Sequence, residues 1–396
     1  MTNDDNASSS SSSSMMFIVP MAVAGGLAAV AAYNSHLSRT TEEPTYQYDL
    51  WGKTVHLGIP KDKFPNTQEM DDMEKNMPGC EHGWFTSPSS GKQLHYRKFL
   101  PEQNKNKKPK AIVIFHHGIQ AHSGAAWVTK SNNRKLNLAG QIDEYVTKQG
   151  FALYAMDQLG HGYSEGRRMY ISEYKNNVQD LTSFSRLAAT QHDEAIPLFI
   201  TGHSFGACLA LHAAHEFETN SSAAPKGYKG ICIVAPAIVG DLPPPPVTYT
   251  LRYVLAPNYP TWQPFFMPNP VSADRVWRDP EALALNIAPR YHEMGLEKAG
   301  VPFNLGTAVQ MLGALEDVRE TVIPSLKSPF CSVHGTKDYG VPVEGTDFLE
   351  QHAATAKEDQ SILRIDGAYH DLFADPAKEE TLAFIVKFMK ERMSAK

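Results

Sequence analysis

Cysteine is scarce. Cys80, Cys208, Cys232 and Cys331 stand far apart in a chain of 396 residues, and no two form a CxxC pair. That spacing excludes a disulfide framework and gives no zinc site. Three of the four fall in apolar stretches and read as small core residues in a reducing setting, whereas Cys80 falls in a polar loop. Positive charge is not in excess either: 37 Lys and Arg stand against 43 Asp and Glu, a net charge of −6. The one basic cluster, Lys105 to Lys110, has no interleaved aromatics and reads as a solvated loop. A nucleic-acid partner is therefore not expected. With 42% hydrophobic and 20% charged residues, the chain has ordinary globular composition.

Long apolar runs are absent but for one. Residues 1–14 are polar, with seven consecutive serines, and read as a disordered tail. The sequence MMFIVPMAVAGGLAAVAA, Met15 to Ala32, follows without a charge. As a helix it would span roughly 27 Å, enough for a thin bilayer. A hydrophobic segment over 15–33 is read first as a single-pass membrane anchor, placing the protein at an endomembrane or organelle. The alternatives are a cleaved signal, since Ala29-Val30-Ala31 resembles a cleavage site, or an organelle-targeting sequence; the product would then be secreted or organellar. Acidic Asp4 and Asp5 stand where a signal peptide would carry a basic region. Residues 34–80, polar and interrupted by prolines, read as a linker with some clasping structure.

From there apolar strands alternate with helical patterns. Gly83 to Thr86 and Gln93 to Phe99 read as a hairpin about a Ser-Pro-Ser-Ser-Gly turn. Strands follow at 111–116, 151–156, 197–201, 230–234, 329–333 and 361–365, and helices at 133–149, 176–192, 207–217 and 377–393. Several strands are uniformly apolar, as a parallel sheet buried on both faces requires. The fold class is α/β: a mostly parallel, doubly wound central sheet with flanking helices. Residues 81–237 and 326–396 form the two parts of its core. Residues 238–325 break the rhythm with Pro243 to Pro246, many aromatics, and helical patterns at 279–298 and 304–321. They read as a cap inserted over the ligand edge of the sheet, covering something greasy.

The chemistry is concentrated at PLFITGHSFGAC, residues 197–208. Gly202 and Gly206 flank Ser204 at a strand-to-helix junction, where backbones crowd and residues without Cβ are needed. This is the G-x-S-x-G setting that exposes a strained nucleophile. A serine hydroxyl needs a positioned base, and the base an orienting acid. Both are sought past the carboxyl ends of later strands. Asp338 follows the strand at 329–333, and His370 follows the strand at 361–365. Asp366 and Asp371 are fallback acids, and His203 is read as structural. The oxyanion would be held by the N–H groups of Phe205 and Ile119, with Gly118 permitting close approach and His117 and His122 bracing the loop. The loop Gly160 to Gly166 reads as a folded support, and its Ser164 is a weak rival to Ser204. No acid or cysteine lies at ligand spacing with His117 and His122, so neither metal nor organic cofactor is needed.

Five segments, HHGIQAHSG, DQLGHGYSEGRRM, GHSFGA, HGTKD and GAYHDLF, together resemble the monoglyceride lipase and lysophospholipase-like group of serine α/β-hydrolases. The resemblance covers about residues 100–390. It implies hydrolysis of monoacylglycerols or related single-chain lipids, with Ser204, Asp338 and His370 as triad and Ile119 and Phe205 as oxyanion donors. Lysophospholipase, small-molecule carboxylesterase and acyltransferase chemistry remain open on the same scaffold, as does a non-catalytic ligand-binding role. This chain departs from the pattern at Gln120 and Ala121, at Ala125, and at Phe205 and Ala207, which bears on the substrate more than on the chemistry. Acyl length, head group and oligomeric state are not legible.

Overall fold

Why uniformly apolar runs should be strands is answered by the way the sheet is covered. The computed structural model describes residues 46–48, 54–56, 79–101, 108–124, 142, 145–167, 169–193, 195–240, 244–264, 273–287 and 303–394. β1 (Tyr46–Tyr48) and β2 (Thr54–His56) pair antiparallel as a separate small sheet, within the segment read as linker. The other strands are β3 (Cys80–Thr86), β4 (Gln93–Phe99), β5 (Ile112–His116), β6 (Ala152–Met156), β7 (Leu198–His203), β8 (Tyr228–Val234), β9 (Phe330–Gly335) and β10 (Gln360–Ile365). They form one sheet in the order β3-β4-β6-β5-β7-β8-β9-β10. β3 and β4 run antiparallel to their neighbours, and all pairings from β6 to β10 are parallel. Cys80 is thus half-buried in the first strand of the main sheet, not in a loop; polar neighbours hid an edge strand whose alternate residues meet solvent.

β5, β6 and β7 are buried along their whole length. Successive side chains on β5 serve opposite faces: Ile112 and Ile114 join one hydrophobic cluster, Val113 and Phe115 the other. Both faces are covered, so no polar alternation is needed. Helices α1 (Tyr174–Thr190) and α2 (Phe205–Thr219) cover the first face, through Leu181, Phe184, Leu209 and Ala213 among others. The C-terminal helix covers the second with Leu382, Ile385, Phe388 and Met389.

Between β8 and β9 the chain leaves the sheet. It makes a short helix at Pro245–Thr250, a π turn at Leu251–Leu255 and further helical pieces at Ala273–Val276 and Pro280–Ile287. Helix α3 (Leu305–Asp317) then continues through a second π turn, Val318–Val322. The aromatics of this insertion differ from the sequence reading. Tyr249, Tyr253, Tyr259 and Trp262 are 43–64% exposed, and the Pro245–Thr250 helix that carries the first of them buries none of its residues. Leu251, Ala256 and Leu305 make the small core there instead. Phe265, Phe266 and the end of the pattern at 279–298 lie outside the described residues. A helix missing from the sequence reading, α4 (Glu344–His352), joins β9 to β10 and precedes the C-terminal helix, α5 (Lys378–Ser394). α4 is short and mostly polar, and buries only Gly345, Thr346 and Leu349.

Among the described residues no helix is long and apolar enough to cross a membrane. The hydrophobic segment 15–33 and the tail before it lie outside the described residues, as does most of the helix expected at 133–149.

Candidate active site

Ser204 sits where β7 becomes α2, with φ 57° and ψ −124°. A residue with a side chain is strained there and persists only when its surroundings over-determine it. They do: Ser204 N–H donates to Val234 O on β8 at 2.9 Å, and Ser204 O accepts from Ala207 at 3.0 Å and from Ala237 at 3.1 Å. The flanking glycines answer the crowding. A Cβ on Gly202 would lie 2.5 Å from Gly206 O, and one on Gly206 would lie 2.3 Å from the carbonyl oxygens of both His116 and His117. The loop after β5 therefore crosses the start of α2 in direct backbone contact. Gly118, next on that loop, would place a Cβ 2.8 Å from Ser204 Cβ. So the structure brings Ser204, Phe205, Gly118 and Ile119 to one place. Phe205 opens α2, where the first N–H groups have no intrahelical acceptor.

Asp338 and His370 come from the ends of β9 and β10, which run side by side. His370 Nδ1 lies 2.7 Å from Asp338 Oδ2, both side chains buried. Burial alone would raise the Asp338 pKa, but His370 and His334 beside it hold the carboxyl well below the usual range. Burial pulls His370 the other way from its net shift: the Asp338 charge and hydrogen bond overcome it and raise the imidazole above its ordinary value. His203, read as structural, reaches the loop after β10 that carries His370, the proposed base, its Nε2 donating to His370 O at 3.2 Å. The fallback acids are otherwise engaged. Asp366 accepts from Thr336 Oγ1, while Asp371 accepts from Trp277 Nε1 at 2.7 Å and from the N–H groups of Phe373 and Ala374.

His117 braces the loop in one tautomer. Gly118 O accepts from Nδ1–H at 2.7 Å, and Nε2 accepts the N–H of Gln158 at 3.0 Å. Burial lowers its pKa to about 4. Gln158 Nε2 also donates to His117 O at 2.6 Å. Ser164 is tied down by donating to Asp157 O at 2.6 Å, which gives the loop at 160–166 a supporting place.

Two groups of residues escaped the sequence reading. Arg97 and Asp157 form a fully buried ion pair behind the loop after β5. Only the conspicuous DQLGHGYSEG segment signalled it; an Arg in a strand gives no hint of burial. Trp277 and Arg278, read as part of the insertion, grip the base loop. Arg278 donates to both oxygens of Asp375, at 2.6 and 2.7 Å, and to Gly367 O at 3.0 Å. Among the described residues no group of three or more His, Cys, Asp or Glu side chains could hold a metal ion.

A mostly parallel sheet in this order, with a strained serine at a strand–helix turn, defines an α/β-hydrolase. The family described as serine aminopeptidase, S33, matches residues 107–377, and the chain belongs to it. The chain is 28% identical to the monoglyceride lipase of Rattus norvegicus, over 72% of its length and 82% of that protein's. It is 26% identical to the monoacylglycerol lipase of Mycolicibacterium smegmatis, over 74% of its length and 91% of the relative's. Caffeoylshikimate esterase of Arabidopsis thaliana is 26% identical over 89% of this chain and 93% of its own. A soluble variant of the Saccharomyces cerevisiae monoglyceride lipase shares the fold, with a TM-score of 0.62 and 16% identity, over 81% of this chain and 98% of that one. The protein is an enzyme of the carboxylic ester hydrolase class, of monoglyceride lipase-like kind.

Proposed function

We propose that the protein cleaves the acyl ester of monoacylglycerols, releasing fatty acid and glycerol, with Ser204, Asp338 and His370 as the triad. The observation that carries this is the 2.7 Å pairing of buried His370 and Asp338 at neighbouring strand ends, in the same fold edge as strained Ser204. His370 takes the Ser204 proton as Ser204 attacks the ester carbonyl. The N–H groups of Ile119 and Phe205 hold the oxyanion. His370 then protonates the leaving alcohol, and water releases the fatty acid by the reverse steps. Gly202 and Gly206 shape the elbow, and His117 and Gly118 the facing loop. The reaction draws on these side chains and backbone groups alone. Residues 15–33 would keep the enzyme at a membrane, and residues 238–325 would form its cap.

A second reading is a small-molecule carboxylesterase. It is favoured by the alignment with caffeoylshikimate esterase, which spans more of this chain than either lipase alignment above. The test is hydrolysis of a monoacylglycerol, a lysophospholipid, a diacylglycerol and a short polar ester, each beside Ser204→Ala. Turnover of the monoacylglycerol that is lost in the variant is expected. Cleavage of the short ester alone would favour the second reading, and undiminished turnover by the variant would remove Ser204 from the mechanism.

A further inference from the structure

The Asp338 carboxylate has more partners than one histidine requires. Oδ1 accepts the N–H groups of Gly340 and Val341, each at 2.8 Å. Oδ2 faces His370 Nδ1 at 2.7 Å and, at 3.1 Å, Nε2 of a second imidazole, His334. His334 is fully buried on β9, four residues before the acid and outside the proposed triad. Its partners settle its proton. Val341 O, 3.2 Å from Nε2, can only accept, so Nε2 carries the hydrogen and shares it between that carbonyl and the carboxylate. Nδ1 lies 2.7 Å from Thr346 Oγ1, which lies 3.3 Å from Ser332 Oγ. The threonine hydroxyl can donate into Nδ1, which completes a chain of hydrogen bonds from Ser332 to the Asp338 carboxylate.

We propose that His334 is a positioning residue for the ester hydrolysis: its Nε2–H fixes the Asp338 carboxylate and moderates the pull of Oδ2 on the His370 proton. The inference rests on the triad reading above. Each hydrogen bond donated to a carboxylate favours the anion over the acid and lowers its basicity. Without the His334 donor, Oδ2 would hold the His370 proton more tightly and less squarely. His370 would stay protonated to higher pH, so the acid limb of kcat/KM would move up while kcat falls. The titratable groups facing the pair are His334 on β9, His203 at the end of β7 and Asp371 on the base loop. Burial holds His203 neutral, its pKa lowered to about 4. Asp371 is fixed by Trp277.

The experiment measures p-nitrophenyl butyrate hydrolysis from pH 5 to 9 by the full-length chain. The variants are His334→Phe and His334→Gln, beside Ser204→Ala and Asp338→Asn. His334→Phe should lose about tenfold in kcat, with its acid limb displaced upward by about half a pH unit or more. His334→Gln keeps an N–H donor and should recover most of both. An acid limb in His334→Phe that coincides with wild type overturns the proposal, as does a glutamine no better than phenylalanine. Should the phenylalanine variant not fold, near-isosteric Thr346→Val replaces it. The threonine hydroxyl polarises the imidazole and strengthens its Nε2–H, so its loss should move the limb the same way by less. An unmoved limb there overturns the proposal too. Activity retained in Ser204→Ala would instead sink the triad reading, whatever His334 does.

Discussion

The Asp157 carboxylate accepts the backbone N–H of Ser123 at 2.6 Å, tying the loop after β5 to the end of β6. The same carboxylate accepts from His95 Nδ1 at 2.8 Å, from Arg97 Nη1 at 3.2 Å and from the N–H of Tyr163 at 3.1 Å. Arg97 also donates to the Ser123 hydroxyl. Burial would push the Asp157 pKa up, but Arg97 and His95 hold it well below the usual range. A buried charge with this many partners organises whatever it touches, and here it touches the loop that faces Ser204.

Removing that carboxylate takes from the buried Arg97 guanidinium the anion that lies 3.2 Å from it. Asp157→Ala should therefore cost about 3–5 kcal/mol of stability, the range for breaking a buried pair. Urea unfolding checks it. A cost under 1 kcal/mol would mean that water or another side chain replaces the carboxylate.

The strain at Ser204 predicts an inequality between two variants that lack its hydroxyl. Alanine at 204 keeps φ 57°, whereas glycine relaxes it. Relief of about 1–3 kcal/mol outweighs the 0.5–1 kcal/mol that glycine costs through unfolded-chain entropy. Ser204→Gly should melt above Ser204→Ala, and calorimetry would show the order. Esterase activity of both should be about a thousandfold or more below wild type.

The rise in the His370 pKa sets the acid limb of activity. In the proposed mechanism His370 must be neutral to take a proton, so kcat/KM should fall as pH drops through a value above the ordinary 6.5. Asp338→Asn removes the charge that raises it. The limb should shift to lower pH, and kcat should fall by about 10⁴, the loss that neutralising a triad acid brings. A pH–rate profile of both proteins decides this.

Buried neutral histidines give stability the same sense in acid. His117 and His203 are lowered by burial to about 4 from 6.5. The unfolded chain therefore takes up protons that the folded one refuses. Their contribution is complete above pH 6.5 and is lost as pH falls toward 4, at up to about 1.4 kcal/mol per unit for each residue. The melting temperature should drop over that window. His117→Gln should flatten the slope by about one proton; an unchanged slope would show that His117 is not refusing one.

Trp277 and Arg278 couple the insertion to the base loop through Asp371 and Asp375. Trp277→Phe keeps the ring but removes the donor to Asp371. It should destabilise by about 1.5–3 kcal/mol, the value of a hydrogen bond to a charged group, and should lower kcat more than it raises KM. Thermal melts and steady-state kinetics separate the two effects.

Much of the fold was legible because burial on both faces leaves a local mark. AIVIF, FALYAM and GICIV are apolar at every position, and each runs along a strand of the sheet. GHSFG was legible because a strand meeting a helix at that angle demands small residues at both flanks. Edge strand β3 and the short polar helix α4 were not, since half-exposed elements carry weaker patterns. Nor were the outward aromatics at 249–262, because apolar residues in an insertion do not declare which side they cover.

By itself the sequence determined the α/β class, the serine at its turn, and an acid and a histidine standing at strand ends. Those follow from periodicity and steric crowding, which act over a few residues. Only the tertiary structure decided that His334 shares Asp338 with His370, that Asp157 buries Arg97, and that Trp277 reaches Asp371. Hydrogen bonds are short and directional, and these partners lie 32 to 94 residues apart or, like His334, meet only where a strand end bends back. Which polar groups are forced to find one another is set by the three-dimensional closure of the core.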